Sequence, residues 1–362
     1  MILIRIEKNL ILLSIIIPFY NVSPYFKECL ESLLAEDFLG LELICVDDAS
    51  TDNSLQILNS FKNKFHCLKV LNNSNKGAGE ARNLGLKEAR GEYVFFMDAD
   101  DALDSKFSLK ENLRFAASNR LDILIFEAVF WDCKNSYKRI PWCFYKNNLP
   151  QKLVFSSEDV SKRLFQITGT EIWNKFYRRD FLLKNKVKFQ NLPNANDVYF
   201  SFFSLSQAKR MACLPKVALK YRIHNNSTQA VKKKDPTCIL TAIEALREDL
   251  NLMEPMNKEI LISFQKWVLG VLHFNFRTLR DEKALLILLE RAKTVIAELQ
   301  YKDLSEFDKK QRILLSYLQS KDKVPKFILT RELMNPTVTR SNYKFFPFFW
   351  ILLKVKNKFF PR

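Results

Sequence analysis

Tyr93-Val94-Phe95-Phe96-Met97-Asp98-Ala99-Asp100-Asp101 is an apolar run that ends in three carboxylates within four positions. Such a run predicts a buried strand, which puts the acids where the strand leaves the sheet, at an edge open to ligands. Carboxylates this close repel one another unless a positive charge offsets them, and a hard divalent cation with oxygen ligands does so. Asp is equally at home in solvated turns and helix caps, so these residues alone leave a metal site and a polar turn both open.

Upstream of the acids the pattern alternates between strands and helices. Residues 12–19 form a first apolar strand, and Tyr25, Phe26, Leu30, Leu33 and Leu34 follow at helical spacing, with Ser23-Pro24 at the helix start. Leu41 to Val46 is a second strand closed by Asp47-Asp48-Ala49-Ser50-Thr51-Asp52; Asn53 to Lys62 reads as a helix and Leu68 to Leu71 as a third strand. This β-α-β-α-β order predicts an α/β fold, a doubly wound sheet flanked by helices. Four of the seven glycines (Gly77, Gly79, Gly85, Gly91) fall within fifteen positions just before the acid-tipped strand, a local demand for unusual backbone or close approach. They do not make a GxGxxG fingerprint, because Arg82 occupies the place of the third glycine.

Composition bounds the class. The chain has 362 residues, 48% of them hydrophobic, enough for two ordinary domains or for one α/β domain with a helical extension. A formal charge of +17 favours anionic partners such as nucleoside diphosphates, nucleic acid or an acidic membrane surface. The seven cysteines form no CxxC pair and several lie in apolar runs, as expected of reduced thiols in a cytoplasmic protein, and three histidines are too few for a His-rich zinc site. Ile11 to Ile17 is stopped by Pro18 and has no small-residue cleavage site after it, so it reads as the first strand behind a short leader, residues 1–11.

Downstream, Leu121 to Trp131 predicts another strand, Ser156 to Phe165 a helix, Val198 to Gln207 an apolar helix opened by Asn194-Ala195-Asn196-Asp197, and Val217 to His224 a strand. Lys232-Lys233-Lys234-Asp235-Pro236 marks a domain boundary, after which helical periodicity runs to about residue 330–335. The last stretch, Tyr343 to Arg362, alternates aromatics with lysines and contains no acid.

Four motifs in order, Ser14-Ile-Ile-Ile-Pro18-Phe-Tyr20-Asn21, Val46 to Asp52, Ala81-Arg82-Asn83-Leu84-Gly85-Leu86 and Phe96 to Asp101, resemble the signature of glycosyltransferase family 2, which has the GT-A fold. The resemblance continues more weakly through Trp173-Asn174-Lys175, Asn196-Asp197 and Tyr221-Arg222-Ile223-His224, and stops near residue 230. It implies a Rossmann-like mixed sheet, a nucleotide-sugar donor of the uridine diphosphate type, a divalent metal (Mn2+ or Mg2+), and inversion at the anomeric carbon. By the same resemblance Pro18, Phe19, Tyr20 and Asp48 would form the nucleobase pocket, Arg82 would sit near the donor, and Asp98 and Asp100 would be the DxD pair, with Asp100 the direct metal ligand. Asp197 would be the general base, His224 would approach the diphosphate or metal, Trp173 would stack on a sugar ring or pack within the protein, and Asn196 would face the sugar or acceptor; Asn196 stands where the family commonly has Glu.

The implied domains are a catalytic region, residues 12–235 (nucleotide half 12–105, acceptor half 106–235), a helical region 236–335, and the basic aromatic tail 336–362. Phe345 to Leu353 is nine residues long and broken by Pro347, too short to span a bilayer, while its lysine flanks suit an anionic membrane surface; a helix docked on the protein itself is the other reading. With no span of about twenty apolar residues and no QxxRW-like motif, the chain does not read as a processive synthase. Nucleic acid is a poor partner, because five acids at 47, 48, 98, 100 and 101 would repel its phosphates. The expected acceptor is a glycan or lipid-linked saccharide of a surface polysaccharide, capsule or lipooligosaccharide, handled on the cytoplasmic side of the membrane. A sugar-nucleotide binder without activity is the remaining alternative.

Overall fold

Strand β1 (Leu13–Phe19) is buried along its whole length and lies between two parallel partners, so apolar side chains on both faces are what its position requires. The structure is a computed structural model that describes residues 12–132, 136–224, 235–252, 257–279, 281–301 and 303–320. The expected leader and the aromatic tail lie outside the described residues.

After β1 come α1 (Ser23–Leu34), β2 (Leu41–Asp47), α2 (Ser54–Phe61), β3 (Leu68–Asn72), α3 (Ala78–Glu88), β4 (Tyr93–Phe96) and the two-residue β5 (Ala102–Leu103). The chain continues through α4 (Leu109–Ser118), β6 (Ile123–Asp132), β7 (Ser136–Trp142), β8 (Lys175–Arg178), α5 (Arg179–Lys184), α6 (Asn196–Gln207) and β9 (Met211–Ile223). The sheet order is β3-β2-β1-β4-β8-β6-β9-β5, with β7 also paired to β6. Its first half is parallel, β8 is antiparallel to both β4 and β6, and β6 and β9 are parallel, giving a mixed sheet.

Two pairings position the acids. The backbone N–H of Met97 reaches the Ile16 carbonyl at 3.1 Å, so the chain leaves β4 beside the end of β1. Antiparallel pairing then sets Ala102 of β5 opposite Lys220 of β9, which carries Arg222 and the following His224 alongside Asp100 and Asp101 although more than 120 residues separate them.

At the opposite end of β1 a buried polar knot fixes the register. Ser14 Oγ donates to Glu42 Oε2 (2.7 Å) and accepts from Gly91 N–H (2.8 Å), while Arg90 gives Glu42 both its N–H (3.0 Å) and its Nε–H (2.8 Å). A Cβ on Gly91 would lie 2.5 Å from Ser14 N and 2.6 Å from the Tyr93 carbonyl oxygen, both backbone atoms that cannot swing aside. Gly91→Ala is therefore expected to reach the upper end of overpacking costs, about 3 kcal/mol, read as a lowered urea midpoint with an unchanged slope; a stability loss under about 0.5 kcal/mol would contradict the close approach.

Two segments differ from the sequence reading. Glu158–Gln166 forms 3-10 turns broken at Val160 and Arg163 in place of a continuous helix. Its later residues bond elsewhere: Phe165 N–H donates to Ser263 Oγ (3.1 Å) and Gln166 Nε2 to the Ser263 carbonyl (2.8 Å), tertiary partners that replace helical ones. Lys175–Arg178, read as a motif without a strand, is β8; two of its four residues are basic, so no run of hydrophobic residues announces it.

A second compact unit comprises α7 (Cys238–Asn251), α8 (Lys258–Thr278), α9 (Glu282–Glu298) and α10 (Lys309–Gln319), together with Tyr145–Leu149 and Val160–Gly169. Asn257, Asp281 and Asp308 cap α8, α9 and α10 through their side chains, and Phe264, Val268 and Leu272 on α8 and Leu288, Ala292 and Val295 on α9 fill its core. Among the described residues no helix is long and apolar enough to cross a membrane. The six described cysteines are free thiols.

Candidate functional site

The loops that follow β1 and β2 are tied to each other at the carboxyl end of the parallel strands. Asn21, with a left-handed φ of 51°, accepts at Oδ1 from Thr51 N–H (2.8 Å) and Asp52 N–H (3.2 Å), and Asp48 N–H donates to the Phe19 carbonyl (2.9 Å). Pro18 and Phe19 are buried, Phe19 against Phe26 with ring centroids 4.9 Å apart, whereas Tyr20 is 50% exposed. The Asp48 carboxylate anchors the glycine-bearing loop: Oδ1 accepts from Asn73 Nδ2 (2.7 Å) and Lys76 N–H (2.8 Å), and Oδ2 from Gly77 N–H (2.9 Å). Gly77 has a φ of +90°, which favours glycine there.

Arg82 projects from α3 and forks between two partners. Nη2 pairs with Asp98 Oδ1 at 2.7 Å and Nη1 donates to Asn196 Oδ1 at 2.9 Å, while the guanidinium carbon lies 5.5 Å from the Phe189 ring centroid. Asn196 opens α6 and Asp197 sits in its first turn, where the helix dipole favours a carboxylate. The negative charge of Asp197 raises the Glu171 carboxyl and the buried Lys175 amine, after larger effects of burial.

The three acids converge. Asp98, Asp100 and Asp101 each offer an oxygen, and these oxygens all lie within 4.8 Å of one another. Enclosure raises the Asp98 carboxyl above its ordinary range, Arg82 pulling it down and Asp100 pushing it up; Asp101 is raised further, by burial and then by Asp100 and Asp98. Asp101 is 1% exposed, and its Oδ2 is sealed from water with no hydrogen-bond partner. His224 Nε2 lies 2.7 Å from Asp100 Oδ2, within hydrogen-bonding distance of the acid. Its ring packs on Tyr25 with centroids 4.7 Å apart.

An all-oxygen donor set, crowded carboxyls held above their ordinary range, and one buried oxygen lacking a partner fit a hard divalent cation. Trp173, by contrast, is buried and stacked on Tyr221 at 5.4 Å, a packing contact in the core. The site thus gathers Arg82, Asp98, Asp100, Asn196 and His224 around the acid loop, while Asp48 holds the loop before α3 and Tyr20 is exposed after β1. Arg222 and the partnerless oxygen of Asp101 were not singled out by the sequence reading, though both lie within its quoted motifs.

A parallel half-sheet continued as a mixed sheet and carrying an acid loop after β4 defines the GT-A class of fold. Residues 14–185 match glycosyl transferase family 2, which places this part of the chain in that family. It is 30% identical over 231 residues to the uncharacterized glycosyltransferase YibD of Escherichia coli (strain K12), covering 61% of this chain and 64% of YibD. It is 31% identical over 262 residues to the poly(ribitol-phosphate) beta-N-acetylglucosaminyltransferase TarS of Staphylococcus aureus (strain MW2), covering 69% of this chain and 43% of TarS. The crystal structure of S. aureus TarS 1-349 in complex with UDP-GlcNAc shares the fold with a TM-score of 0.72 at 23% identity, over 85% of this chain and 87% of that one. The mannosyltransferase PcManGT from Pyrobaculum calidifontis, solved with GDP-Man and Mn2+, shares it more loosely, with a TM-score of 0.50 at 16% identity over 84% of each chain.

Proposed function

We propose that the chain is an inverting glycosyltransferase that moves a sugar from a nucleoside-diphosphate donor, of the uridine type, to a hydroxyl of a glycan or lipid-linked saccharide. The observation that carries this reading is the acid loop: Asp98, Asp100 and Asp101 crowded together beside Arg82 and His224, at the strand ends where such sheets take their ligands. Tyr20 and Asp48 supply the base pocket, with Phe19 buried beneath it, and Arg82 orients the donor.

Asp100 and Asp98 would hold the divalent cation, Mn2+ or Mg2+, with the Asp101 oxygen and His224 beside them; when bound, it supplies Lewis-acid charge at the diphosphate oxygens. Asp197 accepts the proton of the acceptor hydroxyl as that oxygen forms its bond to the anomeric carbon from the face opposite the departing diphosphate. The bond between the anomeric carbon and the phosphate oxygen breaks in the same step, and the electron pair leaves with the nucleoside diphosphate. Asn196 keeps the Arg82 fork in place without adding a negative charge next to Asp197.

Residues 12–235 serve as the catalytic region and the helices beyond as an extension. The aromatic, lysine-rich tail would seat the enzyme on the anionic cytoplasmic face of a membrane, where a lipid-linked acceptor would be met. The relatives point to surface polymers as acceptors, and nucleic acid is not a partner in this reading. A panel of nucleotide sugars incubated with Mn2+ and assayed for released nucleoside diphosphate tests it: one donor turned over well above the rest supports the reading, and silence across the panel with no nucleotide binding refutes it.

A further inference from the structure

Arg222 takes no part in the chemistry above, yet it bonds the acid loop at two points. Its backbone N–H donates to Asp101 Oδ1 at 2.8 Å and its Nε to the backbone carbonyl oxygen of Asp100 at 2.6 Å. Nη2 reaches Glu28 Oε2 on α1 at 2.7 Å. The guanidinium lies 3.7 Å from the Trp131 ring centroid and 5.0 Å from that of Tyr25, the residue one helical turn before Glu28, and the side chain is 5% exposed.

These contacts divide the two resources of the side chain. Its Nη2 and charge are taken by Glu28 and the two aromatic faces, while its Nε bonds the main chain of the loop. Neither contact occupies a carboxylate oxygen of Asp98 or Asp100: Arg82 takes one on Asp98 and His224 one on Asp100. Three carboxylates packed this tightly push the loop open unless its backbone is tied, and a bond to the Asp100 carbonyl ties it without consuming a ligand atom.

We propose that Arg222, seated on Trp131 and Glu28, is the positioning residue that holds the acid loop in its cation-receiving shape. The inference rests on the metal reading of the loop, which it deepens. A planar guanidinium spans the Asp100 carbonyl, the Glu28 carboxylate and the Trp131 face at once; a lysine ammonium carries the same charge but not the rigid fork.

The test is an Mn2+ titration of the full chain without donor, followed by electron paramagnetic resonance of the free ion, on the wild type, Arg222→Lys and Trp131→Leu. Circular dichroism and thermal melting establish that each variant is folded. Arg222→Lys is expected to weaken Mn2+ binding about tenfold or more and Trp131→Leu in the same direction by a smaller factor, in line with supporting groups around metal ligands. A residue that only stabilises the fold would lower the melting temperature and leave Mn2+ affinity of the folded protein unchanged. Wild-type affinity in both folded variants overturns the role of Arg222 alone; if Arg222→Lys does not fold, Trp131→Leu decides. A wild-type chain that binds no Mn2+ overturns the metal reading and this inference with it.

Discussion

Asp100→Asn is expected to lower kcat/KM for the nucleotide-sugar donor by about a thousandfold, a loss of ~4 kcal/mol at about 1.4 kcal/mol per factor of ten. Asn keeps the size of the side chain and one acceptor oxygen, so packing around Tyr25 and His224 changes little. What disappears is the charge at the centre of the acid cluster. A divalent cation coordinated by oxygen depends on that charge, and its Lewis-acid contribution of several kcal/mol goes with it. Removing Asp100 also relieves repulsion on Asp98 and Asp101, so the variant is expected to melt no lower than the wild type in the absence of metal. Thermal stability no lower than wild type with collapsed activity, not rescued by excess Mn2+, is the expected pair of results. Activity within tenfold of wild type would remove Asp100 from the site.

Asp197→Asn should separate chemistry from binding. General bases contribute about 10²- to 10⁴-fold, and the upper part of that range is expected here for kcat, because the acceptor hydroxyl has no other assigned proton acceptor. Donor KM and the melting shift caused by a nucleoside diphosphate should stay near wild type, since Arg82, Asp98 and Asp100 are untouched. If Asp197 merely complements the dipole of α6, the same substitution would cost about 0.3–1 kcal/mol of stability and leave turnover intact. The two outcomes differ in both the size and the kind of effect.

Much of this could be read from the chain, for identifiable reasons. The acid loop was legible because Tyr93 to Met97 is apolar at every position, which identifies a buried strand, and charge directly after such a strand has few places to go. Gly91 was legible as a demand for close approach, and the knot of Ser14 and Glu42 explains it. Arg222 was not, because its role depends on a two-residue strand, β5, pairing with β9 across more than a hundred residues, and so short a strand leaves no periodic trace. Lys175 was hidden for a related reason: it is fully buried in β8, where its ammonium donates to Asn174 Oδ1 at 2.8 Å and to the Glu171 carbonyl, and charged residues seldom mark a core strand. Trp173 shows the limit of reading an aromatic near a site, since a ring able to stack on a sugar stacks equally well on Tyr221.

The central claim is that the acid loop receives a cation and, through it, the donor diphosphate. Isothermal titration of uridine diphosphate into the wild-type chain, first with Mn2+ and then with excess chelator, addresses it without knowledge of donor sugar or acceptor. Binding is expected to require Mn2+, to be lost with chelator and in Asp100→Asn, and to persist in Asp197→Asn. Uridine diphosphate bound equally well with chelator present, or bound unchanged by Asp100→Asn, would contradict it.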